Sequence, residues 1–255
     1  MELKDATVQF GVPMRYEGYS HALIESFLKM KKPKEVKFTP IARQAIDVAR
    51  NLLVGWLKED WLLMMDDDMS FPPETLERLL SWDKPIVSGV YFQSRTHPIP
   101  HIYQYSEVKD GKYFYRSLKK EVAEYLYKHK DMLQDQPCAV TLPREEALIE
   151  CDGVGGGCLL IHKSVFEKLE HPYFKCVIGQ HAGEDFYFCR NAQQAGFKIY
   201  ADMGVLCGHF FQVERGFQQF MAYVSNGEIS YPWDGGYKQN FNDEGEIFNT
   251  NGGVE

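Results

Sequence analysis

The sequence predicts an α/β protein with a mostly parallel central sheet covered by helices. Three features predict it. The run Trp61-Leu62-Leu63-Met64-Met65 is short, bulky and unbroken, which suits a strand buried on both faces. Strand-like and helix-like segments alternate along the N-terminal part of the chain, as parallel strands joined by crossover helices require. Three aspartates, Asp66-Asp67-Asp68, close the run, and sheets of this class bind ligands at the carboxyl ends of their strands.

The elements follow in order. Residues 7–11 read as an opening strand that ends in the turn Val12-Pro13-Met14-Arg15, and residues 21–30 read as a helix. Thr39-Pro40 supplies an N-cap and first turn for a helix over 41–57. Ile41, Ala45, Val48, Leu52 and Trp56 then recur at helical spacing, which predicts one core-facing stripe. After the 61–65 strand and its aspartates, a short helix reaches Leu80 and a β-branched run covers 85–92. Residues 102–150 read as an insertion. Lys109-Asp110-Gly111-Lys112 is a hairpin-type turn between aromatic flanks, and 117–133 is a charged amphipathic helix. The core resumes at Glu150 with Gly155-Gly156-Gly157 and an apolar run over 158–161, then a helix over 164–169. A second helix starts near Gly183-Glu184-Asp185 and stops at Gly196, a suitable C-terminal glycine. Segments 198–201 and 205–207 are strand-like and lead to His209. Residues 1–225 form one domain on this reading, and 226–255, without a clear period, form a lid or a disordered tail.

Composition narrows the function classes. The chain has 255 residues, 44% hydrophobic and 25% charged, ordinary values for a soluble globular protein. No apolar stretch approaches a membrane span and the N-terminus lacks a signal pattern, so the expectation is a soluble, cytoplasmic protein. Six cysteines without a C-x-x-C pair predict reduced, mostly buried thiols rather than a disulfide framework or a zinc site. A net charge of −8 disfavours broad contact with a nucleic-acid backbone and leaves room only for a local basic groove.

The aspartates carry the chemistry. A buried strand has no need of three carboxylates at its end, and crowding like charges raises their repulsion unless a cation offsets it. Oxygen ligands favour a hard divalent ion such as Mg²⁺ or Mn²⁺, commonly shared with substrate phosphates. The competing reading is an acidic turn that caps the helix beginning near Ser70, Pro73 and Glu74, but a cap employs one side chain and leaves two unexplained.

Four pieces recur in fixed order: the strand-end aspartates, a glycine-rich strand entry, a Gly-Glu-Asp helix start and a Gly-His at a strand end. In "RNLLVGWLKEDWLLMMDDDMSFPPETLERLL", "GVGGGCLLIHKSVFEKL" and "GEDFYFCRNAQQAGFKIYADMGVLCGH" the chain resembles GT-A-fold glycosyltransferases, the Rossmann-like family-2 group, in a stand-alone form also met in phages and bacteria. The resemblance covers about residues 5–100 and 150–212 and implies roles residue by residue. Asp68 is implied as a metal ligand, and Asp66 as a contact to the donor ribose or to the metal shell; Asp67 between them joins the donor-contacting group. His209 is implied as a further metal ligand, and its imidazole tilts the choice of ion towards Mn²⁺. Asp185 is implied as the base that deprotonates the acceptor hydroxyl in an inverting displacement, with Glu184 orienting the acceptor. For both acids the simpler alternative is interaction with the helix dipole.

The same resemblance sets Gly155, Gly156 and Gly157 beside the donor sugar and acceptor, where an absent side chain allows close approach; the alternative is a β-bulge. Pro13, Arg15, Arg50 and Asn51 match positions near the donor nucleotide, and the two arginines suit forked bonds to base or diphosphate. Arg50 has an alternative partner in Asp47. Arg95 is placed near the diphosphate or in a surface salt bridge. His181 and the 175–182 loop are a candidate acceptor gate, and the 102–150 insertion helps form the acceptor side or merely packs at the periphery.

The implied function is metal-dependent transfer of a sugar from a nucleotide-sugar, UDP-sugar by default, to an acceptor hydroxyl. The acceptor is a saccharide, a small hydroxylated molecule or a hydroxylated base in DNA, the last requiring a local basic groove. Two other classes stay open. A sugar nucleotidyltransferase normally has a glycine-rich phosphate loop after its first strand, for which Gly11-Val12-Pro13-Met14-Arg15 is a poor match. A non-catalytic carbohydrate-binding protein would not need all of these acids.

Overall fold

The computed structural model describes residues 3–14, 20–93, 98–109, 112–134, 138–177, 183–210, 214–215 and 220–221. Arg15, Arg95, His181 and the 226–255 tail, each given a role from sequence, lie outside the described residues. The N-terminal half contains β1 (Val8–Met14), α1 (His21–Lys29), β2 (Val36–Ala42), α2 (Ile46–Gly55), β3 (Trp61–Met65), β4 (Met69–Ser70), α3 (Thr75–Leu80) and β5 (Ile86–Val90). Next come β6 (Phe92–Gln93), β7 (Ile99–Pro100), β8 (Ile102–Lys109), β9 (Lys112–Ser117) and α4 (Lys119–Lys128). The rest comprises β10 (Val140–Thr141), β11 (Leu148–Cys151), β12 (Gly153–Val154), β13 (Cys158–His162), α5 (Lys163–Phe166), α6 (Glu184–Gln194), β14 (Ile199–Leu206), β15 (Gly208–Phe210) and β16 (Glu214–Arg215).

An eight-stranded sheet organises the molecule in the order β10-β14-β5-β13-β3-β1-β2, with β11 also pairing with β14. Strands β1, β2, β3, β5 and β14 run one way, while β13, β10 and β11 run against them. The sheet is therefore mixed but mostly parallel, as expected. Helices cover both faces. On β3, Leu62 and Met64 join the core under α2, α4, α5 and α6, while Trp61, Leu63 and Met65 join the core under α1 and α3. That two-sided burial is why the run lacks polar alternation.

Local contacts fix the helix ends, at Gly196 as the sequence suggests. Ser20 caps α1 by accepting from the Leu23 amide at 3.1 Å. Gly196, at φ 90°, ends α6, with its amide and that of Phe197 donating back to Gln193 and Ala192. Among the described residues, no helix is long and apolar enough to cross a membrane.

The structure corrects two assignments and locates a third segment. Thr39-Pro40 does not open a helix: both residues lie in β2, and α2 starts at Ile46. Pro40 is tolerated because β2 is the edge strand of the sheet. The predicted stripe is also rotated. Ala49, Arg50, Leu53 and Val54 are buried, whereas Val48 is 43% and Trp56 51% exposed. Finally, the 102–150 segment is not uniformly peripheral. Strands β8 and β9 form a separate sheet with β12, but β10 and β11 complete the main sheet against β14.

Candidate active site

The carboxyl ends of β1, β3, β5 and β14 share one edge of the sheet, so Asp66–Asp68, Tyr91 and Gly208-His209 follow strands that finish together. The antiparallel β13 begins at that edge, which brings Gly155-Gly156-Gly157 into the same place. A small ladder fixes His209: β15 pairs with β4, setting His209 opposite Met69, and the Phe210 amide donates to the Asp68 carbonyl at 2.7 Å.

Arg50 lies at the centre, 3% exposed. Its Nη1 donates to Glu184 Oε1 at 2.5 Å, and its Nη2 donates to Asp66 Oδ1 and Oδ2 at 3.0 and 3.3 Å. Burial opposes the charge, yet Asp66, Glu184 and Asp185 outweigh it and hold the guanidinium pKa above its ordinary value. Asp47, the alternative partner, accepts instead from the Cys176 amide at 3.2 Å. One cation among three carboxylates leaves an excess of negative charge in a desolvated place, which costs free energy unless a proton or a further cation offsets it.

The acids at the start of α6 respond accordingly. Burial pushes the Asp185 carboxyl above the usual carboxylate range; Arg50 opposes this and Asp66 adds to it. Its Oδ1 accepts from the Phe186 amide at 2.9 Å. Burial likewise raises Glu184, with Arg50 opposing and Asp185 reinforcing. Glu184 Oε2 also accepts from the Cys176 thiol at 3.6 Å. The two neighbours differ in their partners: Glu184 is ion-paired with Arg50, whereas Asp185 accepts from the Phe186 amide.

Asp68 and His209 form the second half of the site. The His209 Nδ1 sits 3.1 Å from the Phe92 carbonyl. A carbonyl can only accept, so Nδ1 carries the hydrogen and Nε2 of the neutral ring holds a lone pair. That Nε2 is 3.4 Å from Asp68 Oδ2, so two acceptors face each other, while Asp68 Oδ1 is buried and has no hydrogen-bond partner among the described residues. Such an arrangement requires a proton or a metal ion between the groups. Burial lowers the His209 pKa, but the hydrogen bond and charge of Asp68, then the charge of Asp66, raise it overall. Among the described residues no three His, Cys, Asp or Glu side chains form a metal group. Asp66, expected to share the ion, is turned to Arg50 instead. Asp68 and His209 are the two side chains here that could hold a divalent ion.

The remaining expected residues have other tasks. Asn51 donates to the Asp47 and Phe174 carbonyls and accepts from the Tyr173 and Phe174 amides, so its amide braces α2 against the 173–174 segment. Pro13 is buried in β1 beside Ile41 of β2, beyond Gly11 where pairing with β3 stops. The Asp67 carbonyl accepts from the Ser20 amide at 3.2 Å, tying the aspartate turn to the start of α1.

The glycines are crowded by the protein itself. A Cβ at Gly155 would lie 1.9 Å from the Tyr91 hydroxyl and 2.3 Å from His101 Nδ1, and one at Gly156 would lie 2.3 Å from Arg50 Cζ. Tyr91 and His101 are components that sequence reasoning missed. His101 Nδ1 and the Tyr91 hydroxyl are 2.6 Å apart, and the Gly157 amide donates to that hydroxyl at 3.3 Å. Burial, with the nearby His209, depresses the His101 pKa to about 3, so the ring is neutral. The hydroxyl accepts from the Gly157 amide, and the tautomer of the neutral His101 ring sets which of the two groups donates across the 2.6 Å contact. Nothing in the sequence separates these two from the many other aromatic residues; the glycine triplet was the available signal, because something must fill the space it leaves.

Comparison with known proteins supplies the family and the fold. The family model for glycosyl transferase family 2 matches residues 17–169. No curated protein matches the chain. Among solved structures, A197 from STIV superimposes with a TM-score of 0.51 at 17% identity, covering 80% of this chain and 86% of that one. GalNAc-T7, solved with UDP, GalNAc and Mn²⁺, superimposes with a TM-score of 0.52 at 13% identity over 86% of this chain, which spans only 48% of the GalNAc-T7 chain. At these identities the likeness establishes the GT-A fold. With the family model covering more than half its length, the chain belongs to glycosyl transferase family 2 and is a glycosyltransferase.

Proposed function

We propose that the protein moves a sugar from a nucleoside-diphosphate sugar, UDP-sugar first among them, to an acceptor hydroxyl at the carboxyl edge of the sheet. The observation that carries this reading is the facing pair Asp68–His209 with its orphaned carboxylate oxygen, a two-donor seat beside the strand end. The Asp68 carboxylate and His209 Nε2 would hold the divalent ion, and the nitrogen donor favours Mn²⁺ over Mg²⁺. A bound ion supplies charge neutralisation for the departing diphosphate.

Asp185 acts on the acceptor. Its buried, elevated carboxylate accepts the hydroxyl proton as that oxygen attacks the anomeric carbon and the bond to the diphosphate oxygen breaks. One displacement at that carbon inverts its configuration. Glu184, charge-paired with Arg50, supports the helix start from which Asp185 projects. The acceptor class is a hydroxylated molecule, and saccharides and hydroxylated DNA bases both belong to it. Family membership sets aside the nucleotidyltransferase and binding-protein readings.

The test is Asp68→Ala, assayed for UDP release across a panel of UDP-sugars in Mn²⁺. Loss of turnover with an unchanged unfolding transition is the expected result. Turnover equal to the wild type would overturn the proposed metal seat.

A further inference from the structure

Arg50 stands where the donor and acceptor halves of the site meet. Helix α2 carries it into the core interface between Ala49 and Leu53, both buried, so a charged group occupies a position that normally takes an apolar one. Its two partners come from distant places in the chain: Asp66 is 16 residues away and Glu184 is 134. The guanidinium fills the space beside Gly156, where an added Cβ would approach Cζ, Nη1 and Nη2 to 2.3, 2.4 and 2.5 Å. Both terminal nitrogens are engaged, and the side chain is 3% exposed. A cation so enclosed is not presented to an incoming diphosphate.

We propose that Arg50 is a positioning residue: its fork ties the Asp66 carboxylate at the end of β3 to the Glu184 carboxylate at the start of α6. The tie sets the separation between the donor-diphosphate seat and the acceptor base Asp185. This assignment rests on the function proposed above and replaces the donor-binding role that the sequence suggested for Arg50. Without the guanidinium, Asp66 and Glu184 repel each other across the gap, and the two halves lose their fixed spacing. A lysine does not substitute, because a single ammonium cannot hold two carboxylates in one plane as a fork does. Gly156 belongs to the same device, since any side chain there displaces the guanidinium without changing a charge.

The test compares Arg50→Lys, Arg50→Ala and Gly156→Ala with the wild type in the full chain, each supplied with Mn²⁺ and a UDP-sugar that the wild type turns over. A displacement of about 1 Å in reacting groups costs on the order of 100-fold in rate. Arg50→Lys and Gly156→Ala are expected to lose about that factor in kcat, with donor KM within a few-fold of wild type. Guanidinium ions, but not ammonium ions, are expected to restore about tenfold to Arg50→Ala. Full kcat in Arg50→Lys would refute the proposal. So would a loss confined to donor KM, which would make Arg50 a diphosphate ligand after all. Absence of a cooperative unfolding transition in both Arg50→Lys and Gly156→Ala would make Arg50 a folding residue and refute it equally. If the wild type turned over none of the donors, the failure would lie in the proposed function, and the two outcomes are therefore distinct.

Discussion

Replacing Asp185 with asparagine separates catalysis from structure at one atom. Asp185 Oδ1 accepts from the Phe186 amide at 2.9 Å, and an asparagine carbonyl oxygen accepts the same bond, so the helix start should keep its shape. The side-chain amide then stands where the second carboxylate oxygen stood, and it cannot take a proton. Loss of a general base typically costs about 10²–10⁴-fold, or roughly 3–5 kcal/mol in the barrier. The stability change has the opposite sign. Folding raises the Asp185 pKa, so its contribution is fully present below the unfolded pKa and is lost as pH rises through the folded value. Asparagine has no charge to desolvate, so the variant should escape that loss and be at least as stable as wild type at neutral pH. The assay pairs single-turnover sugar transfer with urea unfolding at pH 4 and pH 7. A variant transferring within tenfold of wild type would refute the base assignment. A variant markedly less stable at pH 7 would refute the electrostatic reasoning.

Two further perturbations address structure and metal. Asp202 is fully buried and accepts from Arg78 Nε at 2.7 Å, Trp82 Nε1 at 2.5 Å and the Gly204 amide at 2.8 Å. Asp202→Asn sets a donor against one of these donors and leaves Arg78 uncompensated, so about 3–5 kcal/mol should be lost. That corresponds to about 6–20 °C in Tm by calorimetry, with donor KM unchanged. Burial opposes the charge on His209, but the hydrogen bond and charge of Asp68 raise its pKa overall. Mn²⁺ affinity should therefore fall as pH falls through that pKa, with about one proton released per ion bound. Titration calorimetry in buffers of different ionisation enthalpy checks this; a pH-independent affinity would exclude His209 as a ligand.

Much of the framework was legible because its signals are local. The unbroken Trp61–Met65 run announces a two-sided strand, the Gly196 terminus marks a helix end, and the aspartates mark a strand end. What failed depended on tertiary partners. The α2 stripe was misread because its true face contains Arg50, a charge that a hydrophobic count rejects, and the carboxylates that stabilise it arrive from β3 and α6. The Thr39-Pro40 pair looks like a helix start, yet pairing with β1 overrides that local preference and makes it a strand. The glycine triplet was read as room for a ligand, and Tyr91, His101 and Arg50 occupy that room. The acids are conspicuous in the sequence, but their pairing is not: Asp66 and Glu184 are bound to Arg50, whereas Asp68 faces His209.

The central claim is that Asp68 and His209 seat a cation through which the donor's diphosphate is held. Calorimetric titration of the wild-type protein with a UDP-sugar, after chelation and again after Mn²⁺ is restored, measures it directly. Binding should be at least tenfold tighter with Mn²⁺, and Asp68→Ala should abolish the difference. Equal affinity in the stripped and restored wild type would contradict the account.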